Sequence, residues 1–358
     1  MNRLLITGGA GFIGTNFVYF WHSLYPEDRL VILDALTYAG NLDNLKSLLD
    51  SPRIRFINGD IRDQHLIENI QSEENFNIFV NFAAESHVDR SITGPDAFLE
   101  TNVMGTHTLL KVAKSIGLKN GFDSIRFHHV STDEVYGTLK PDAPPFTEKT
   151  AYAPNSPYSA SKAASDHIVR AYNKTYGLDV TFSNCSNNYG PYQFPEKLIP
   201  LCLTNILDGE KIPVYGDGKQ IRDWLYVEDH CRGIEQVIKK GKSGSSYNIG
   251  GNNEWYNIDI VKLLCDIIDH RFKTDPSLAD RFPYSPSSKK QSSHELISFI
   301  TDRPGHDRRY SVNTEKISRE LKFAPKETFM TGIEKTVDWY LVNEQWWRTL
   351  KEKIKNSI

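Results

Sequence analysis

Two clusters of residues in this chain have the types and spacing of a reaction centre. Ser131-Thr132-Asp133-Glu134-Val135-Tyr136-Gly137 sets two adjacent carboxylates behind a threonine at the end of an apolar run. Tyr158-x-x-x-Lys162 follows about two dozen residues later. A phenol titrates near ~10 and is a poor base at neutral pH, so it needs positive charge beside it to act as one. The four-residue spacing puts Tyr158 and Lys162 on one helical face, and Pro157 suits the first position of that helix. A phenolate held this way can remove a hydroxyl proton while hydride leaves the same carbon. Two carboxylates in different protonation states supply the other half: a base for a C–H and an acid for a departing hydroxyl. Together they suggest oxidation, elimination and reduction in one site. Each cluster alone has a plainer meaning, an amphipathic helix in one case and an exposed acidic strand end in the other.

A hydride acceptor is signalled at the start of the chain. Thr7-Gly8-Gly9-Ala10-Gly11-Phe12-Ile13-Gly14 follows an apolar run and opens a helical pattern, with glycines at 8, 11 and 14. That arrangement allows a tight turn, close approach of backbone N–H groups to a pyrophosphate and close helix–strand packing. Asp34 ends the next strand and is placed to accept from an adenosine ribose diol and to repel a 2′-phosphate, which favours NAD over NADP. Leu36 and Thr37 just beyond it, Asp60 and Ile61 after the third strand, and Ala83 and Ala84 after the fourth complete the expected cofactor set with Phe12, Ile13, Tyr158 and Lys162. A nicotinamide ring would bring the further positive charge that Tyr158 needs.

These residues require elements to hold them. Strands are expected at 3–7, 30–34, 54–58, 78–81, 126–131 and 178–183, with helices at 11–24, 42–49, 63–74, 96–115 and 157–176. Short apolar strands alternating with helical periodicity predict an α/β fold, a Rossmann-type doubly wound parallel sheet covered on both faces. After Tyr189 the pattern becomes irregular and rich in Pro and Gly, with helices expected at 199–208, 227–239, 258–270, 314–321 and 329–344. The expected organisation is an NAD-binding domain over 1–185, joined again by a segment near 215–250, and a smaller, loop-rich substrate domain over 186–358. The stretch 273–294, rich in Ser, Pro, Lys and Asp, is expected to be a surface loop.

With these motifs in place the chain resembles the extended short-chain dehydrogenase/reductase family, on Gly8-x-x-Gly11-x-x-Gly14, Asp34, Asn81-x-Ala83-Ala84, Ser131-Thr132 and Tyr158-x-x-x-Lys162. Within that family Thr132-Asp133-Glu134 resembles the signature of nucleotide-sugar 4,6-dehydratases. The likeness extends through Ser186-Asn187-Asn188-Tyr189-Gly190-Pro191, Phe194-Pro195-Glu196-Lys197-Leu198-Ile199-Pro200, Gln220-Ile221-Arg222-Asp223-Trp224, Tyr226-Val227-Glu228-Asp229-His230 and Asp302-Arg303-Pro304-Gly305-His306-Asp307. The resemblance implies dTDP-glucose as substrate, with Glu134 as base, Asp133 as acid and Thr132 on the 4-hydroxyl beside Tyr158. It implies Asn187 and Arg222 at the diphosphate, with Lys197, Asn257 and His306 nearby, and a homodimer joined through helices near 98–116 and 157–176. Ser86 and His87 are expected either to line the sugar site or to hold a loop. The segment near 273–297 looks longer than the family's usual connection and is expected to be peripheral, with an open question at the nucleobase pocket.

Composition narrows the alternatives. A formal charge of −3 gives no basis for a broad nucleic-acid or membrane surface. Four scattered cysteines, none in a C-x-x-C pair, signal neither zinc nor disulfides and fit free thiols in a reducing compartment. No run approaches the ~18 apolar residues of a membrane helix, and a strand from Leu4 leaves no room for a signal peptide, so a cytoplasmic protein is expected. Three other readings stay open at this point: a dehydratase of another nucleotide sugar, a 4-epimerase, and a silent NAD-sensing protein. The acid pair argues against the last two.

Overall fold

The computed structural model describes residues 1–355. Its centre is a seven-stranded sheet built from β1 (Arg3–Thr7), β2 (Arg29–Asp34), β3 (Ile54–Asn58), β4 (Ile78–Asn81), β5 (Arg126–Thr132), β6 (Val180–Cys185) and β10 (Ser245–Ile249), in the order β10-β6-β5-β4-β1-β2-β3. Every neighbouring pair is parallel. The two-residue period of a strand sends alternate side chains to opposite faces. Leu4, Ile6, Leu30 and Ile32 enter one core with the Phe12–Leu24 and Val227–Lys240 helices, while Leu5, Val31 and Leu33 enter another with the Gln64–Glu74, Thr106–Asn120 and Pro157–Tyr176 helices. All of these side chains are buried, and each contributes about 1.5–3 kcal/mol. The carboxyl ends of the parallel strands therefore share one rigid edge, where ligands of such sheets bind.

A third core lies in the second half, under Leu198–Asp208, Asn257–Thr274 and Phe329–Val342. There β7 (Asn187–Tyr189) and β11 (Glu254–Tyr256) pair with β9 (Ile221–Tyr226), as does β13 (Arg309–Tyr310), and β8 (Ile212–Tyr215) pairs with β12 (Ile297–Ile300).

Several elements differ from expectation. The sixth strand runs Val180–Cys185, two residues later than its apolar residues suggest, because Asn184 and Cys185 pair in register with Ser131 and Thr132 on one side and Asn248 and Ile249 on the other. The Asn184 and Cys185 side chains also donate to the carbonyls of Thr132 (3.2 Å) and Ser131 (3.3 Å). The stretch 42–49 forms only a 3₁₀ turn, Leu42–Leu45. The expected 96–115 helix contains a π-helical stretch, Leu99–Gly105, before regular helix from Thr106 to Asn120. The 273–294 stretch is folded rather than loop-like. It holds short helices at Leu278–Arg281, Pro286–Lys289 and Ser293–Leu296, with Phe282 fully buried. Asp269 organises it by accepting from Ser287 Oγ and Ser293 Oγ, both at 2.6 Å, so these two buried serines are internal partners, while Ser277 and Ser292 stay exposed. A last helix, Glu344–Lys355, was not legible. No helix among the described residues is long and apolar enough to cross a membrane, and all four cysteines are buried and free.

Candidate active site

The Gly-rich turn leaves β1 and enters the Phe12–Leu24 helix. Gly8 has φ +69°, and a Cβ there would lie 2.6 Å from the Ala83 nitrogen. A Cβ at Gly14 would collide with the Gly8 carbonyl. The turn is thus a bare backbone cradle at a helix N-terminus, the form a pyrophosphate needs. Asp34 ends β2 with Oδ2 accepting from Ala10 N–H (2.9 Å) and Oδ1 from Leu36 N–H (2.8 Å). A carboxylate has about four lone-pair sites, so two remain for a ribose diol. Burial pushes this carboxyl up and the two N–H groups oppose it. Gly40 curls against the same oxygen, where a Cβ would stand 2.8 Å from Oδ1.

These groups line a cavity of about 510 Å³ together with Phe12, Ile13, Thr37, Asp60, Ile61, Ala83 and Ala84. Its far end is walled by Thr132, Asp133, Glu134, Tyr158 and Lys162. Leu36 alone of the expected cofactor residues stands behind the wall, acting through its N–H on Asp34. The carboxylate of Asp60 is gripped by Arg62 at 2.7 and 3.0 Å. The donor set and the cradle fit a dinucleotide with an unphosphorylated adenosine ribose.

The acid pair leaves β5 in a 3₁₀ turn, Asp133–Tyr136, capped by Thr132 Oγ1 accepting from Glu134 N–H at 3.3 Å. That turn is what brings two consecutive side chains to one cleft. Asp133 is 1% exposed, and its Oδ2 has no hydrogen-bond partner. Burial, then the neighbouring Glu134 and Asp223, push its carboxyl well above the ordinary range, with Arg222 and Thr132 opposing. Burial also raises Glu134, but Arg222, Arg303 and Lys197 pull it back. Both carboxyls are pushed up, Asp133 further than Glu134, because the cations stand around Glu134.

Tyr158 and Lys162 sit in the Pro157–Tyr176 helix, opened by Pro157 and by a capping box between Ser156 and Ser159. One expectation changes here. The Lys162 ammonium donates to the Val130 carbonyl (2.9 Å) and lies 3.4 Å from His129 Nε2. The Tyr158 phenol is pushed well above its ordinary value by burial and by Glu134, with a hydrogen bond from Thr132 opposing. Lys162 therefore makes no hydrogen bond to the phenol, and the protein by itself keeps the phenol neutral.

A second cavity of about 240 Å³ continues from the first, sharing Ser86, Glu134, Asn187 and Lys197 as walls. Arg222, Asn257, His87 and His306 line it too. Arg222 lies buried over the Tyr310 ring at 4.2 Å and donates to the carbonyls of Ile221 and Asp307. The remaining guanidinium donors match an anionic oxygen pair. The Oδ1 atoms of Asn187 and Asn257 are buried without partners. Lys197 Nζ reaches the Ser86 carbonyl at 3.4 Å, and His306 Nδ1 is held by Asp302 at 2.6 Å. His87 both lines the cavity and caps the Val88–Thr93 helix by accepting from Arg90 N–H.

A model of the GDP-mannose 4,6 dehydratase family matches residues 5–336. The chain is 52% identical over 361 residues to a dTDP-glucose 4,6-dehydratase of Salmonella typhimurium, covering 98% of this chain and 95% of that protein. The chain belongs to the dTDP-glucose 4,6-dehydratase family. Two solved structures of such enzymes share its fold at a TM-score of 0.85. One, from Bacillus anthracis in complex with NAD, is 45% identical and covers 98% of this chain and 100% of its own. The other, from Streptomyces venezuelae with NAD and dTDP bound, is 46% identical and covers 97% and 99%.

Several residues of this dehydratase-family cleft were not in the expected set. Glu196 is packed between Tyr38, His87 and Arg90, with His87 Nε2 at 3.5 Å. Its signal was present in the Phe194-Pro195-Glu196-Lys197 stretch. Arg303 lines the second cavity and pairs with Asp89 at 3.2 Å. Glu100 and Thr101 enter the first cavity from the π-helical stretch, a device often found beside functional sites. Nothing in their local sequence announces them.

Proposed function

We propose that the protein dehydrates dTDP-glucose to dTDP-4-keto-6-deoxyglucose, with NAD as its cofactor. The observation that carries this reading is the unequally raised acid pair at the join of the two cavities. When bound, NAD takes hydride from C4 and returns it to C6. The chain's own residues supply the rest. Thr132 and Tyr158 hold the 4-hydroxyl, and Tyr158 removes its proton, helped by the positive charge of Lys162. A ketone at C4 acidifies the C5 proton, which Glu134 is placed to take, while Asp133 gives its proton to the departing 6-hydroxyl, which leaves as water. As hydride adds at C6, Glu134 returns a proton to C5, and the proton held by Tyr158 balances the one Asp133 must regain. Burial and the neighbouring carboxylates favour the neutral form of Asp133, and the cations around Glu134 oppose the rise that burial gives it, which suits the acid and base roles in that order. Arg222, with Asn187, Lys197, Asn257 and His306, supports a diphosphate in the second cavity, and Ser86 and His87 support the sugar between. An epimerase would have no task for Asp133.

The test is to incubate purified protein with dTDP-glucose and, separately, UDP-glucose, and to look for a 4-keto-6-deoxy product by its absorbance in alkali and by mass. Product from dTDP-glucose is expected. Product from UDP-glucose alone would change the substrate, and product from neither would refute the reading.

We also infer a homodimer. Leu109, Leu110, Val112 and Ala113 pack on the chain's own sheet, so they do not form the pairing face. Leu99 and Met104, 51% and 55% exposed on the helix before them, and Tyr176 at the end of the neighbouring helix support one. Sedimentation of wild type against Met104→Glu tests it.

A further inference from the structure

Behind the cleft, backing the Ser131 and Lys162 walls of the first cavity, lies a buried polar cluster whose Asp166, His129 and Asn184 line neither cavity. Asp166 is 2% exposed and sits one turn beyond Lys162 in the Pro157–Tyr176 helix, so Tyr158, Lys162 and Asp166 share one face. Its Oδ2 accepts three hydrogen bonds, from Ser131 Oγ (2.9 Å), Tyr152 Oη (2.9 Å) and Asn184 Nδ2 (3.1 Å). Its Oδ1 has no hydrogen-bond partner and lies 3.5 Å from His129 Nε2. The same ring nitrogen is 3.4 Å from Lys162 Nζ.

His129 is oriented from its other side. Asn81 Oδ1 accepts from Thr7 Oγ1 (2.6 Å), which leaves Asn81 Nδ2 to donate to His129 Nδ1 (3.1 Å). A neutral ring that accepts at Nδ1 carries its proton on Nε2. That N–H faces Asp166 Oδ1, and burial and the Lys162 charge keep the ring neutral. The His129 N–H and the donors on Oδ2 therefore converge on one carboxylate, and the Lys162 ammonium lies by the same ring nitrogen, within reach of the carboxylate's field.

Resting on the proposed role of Lys162, we propose that Asp166 is a positioning residue: its carboxylate, held beyond the His129 ring, is the buried counter-charge that keeps Lys162 an ammonium. Without it, Lys162 would be a buried cation whose one hydrogen bond is to the Val130 carbonyl, an arrangement that burial disfavours. Burial already brings Lys162 down to about 8, with Asp166 and Cys185 acting against that fall. Three donors on one oxygen favour the carboxylate form of Asp166. The other titratable groups facing the cluster are His129 on β5, Cys185 on β6, Tyr136 in the turn after β5, Tyr152 before the helix, and Tyr158. Burial holds Cys185, Tyr136, Tyr152 and Tyr158 as neutral acids. Burial pushes the Asp166 carboxyl up as well, but Lys162 and the donors from Ser131, Tyr152 and Asn184 oppose it, so Asp166 is the acid of the cluster whose neighbours favour the charged form.

The test compares pH–rate profiles of wild-type, Asp166→Asn and Lys162→Met holoenzymes with dTDP-glucose. Activity needs the ammonium, so it falls as pH rises through the Lys162 value. An opposite charge within ~4–6 Å shifts a pKa by about 1–3 units, so Asp166→Asn is expected to move the alkaline limb at least about one pH unit toward acid. A purely structural loss would lower the rate equally at every pH and leave the limb in place, which overturns the proposal. Lys162→Met should be inactive throughout. If it turns over normally, the role of Lys162 fails and this inference with it. If it is inactive while the Asp166→Asn limb stays put, only this inference fails. Should Asp166→Asn not fold, Tyr152→Phe removes one of the three donors, and a smaller shift in the same direction is expected; an unshifted profile overturns the proposal.

Discussion

Replacing Asp133 by Asn should make the protein slower and more stable at once. The side chain is 1% exposed, Oδ2 has no partner, and Oδ1 has only the Thr132 hydroxyl at 3.4 Å. Its folded-state pKa is raised well above the 3.8 of the free group, chiefly by burial. In the folded state it therefore binds a proton that the unfolded chain has released. Stability then falls as pH rises from about 3.8 through the folded value, and each unit of difference is worth about 1.4 kcal/mol. Asn is isosteric and cannot ionise, so its stability does not fall through that window. Asn leaves a polar group in the same dry place, so the gain is the cost of proton uptake alone, about 1–3 kcal/mol over the first one to two pH units above 3.8. At roughly 2 °C per kcal/mol for a chain of this size, the unfolding midpoint should rise by about 2–6 °C. The rate should fall about 10²–10⁴-fold, the usual contribution of a positioned acid. The assay is thermal unfolding of both proteins between pH 5 and 8, with product formation measured in parallel. The gap in midpoint should widen as pH rises. A gap independent of pH, or a variant that melts lower at pH 8, would mean that Asp133 is an ionised, paired carboxylate, and its role as acid would be lost.

Three further outcomes are expected. Glu134→Gln should cut turnover by about 10²-fold or more and abolish incorporation of deuterium from solvent at C5, read by mass or NMR; retained incorporation would move the base elsewhere. Gly14→Ala places a Cβ against the Gly8 carbonyl, so the purified variant should retain little dinucleotide, measured by absorbance of the acid-released cofactor. Trp346→Phe removes the indole N–H that donates to Asn44 Oδ1 at 2.7 Å, and Asn44 Nδ2 in turn holds the Ala10 carbonyl at 2.9 Å. It should speed dinucleotide loss several-fold, with a stability cost near the ~1 kcal/mol of one hydrogen bond, measured by dilution into cofactor-free buffer; an unchanged loss rate would detach the last helix from the phosphate turn.

Much of the sheet was legible because buried parallel strands must be short and apolar, and because the glycines of the first turn have no other use in that context. The motif residues were legible because their chemistry demands particular side chains at fixed offsets: Gly8, Gly11 and Gly14, Tyr158 and Lys162, Asp133 and Glu134. The 273–294 stretch was misjudged because Ser287 and Ser293 look solvated until Asp269, distant in sequence, is seen to collect them. The Glu344–Lys355 helix was missed although Trp347 and Leu350 bury one face, since its other residues apart from Trp346 and Ile354 are polar. Glu100, Thr101 and Arg303 reach the cleft only through the π-helical stretch and a long-range pairing.

What the sequence by itself determined is the inventory: a dinucleotide cradle, an oxidation base and an acid pair, each recognisable from local spacing. Which carboxylate is acid and which is base was decided by the tertiary structure. Asp133 and Glu134 are neighbours in sequence, yet Asp133 faces Asp223 in a dry wall and Glu134 faces Arg222, Arg303 and Lys197. The direction of Lys162 was decided in the same way, because its ammonium follows the Val130 carbonyl and the His129–Asp166 cluster rather than the phenol four residues away. Charge states depend on burial and on neighbours brought in from remote parts of the chain, and those neighbours exist only once it has folded.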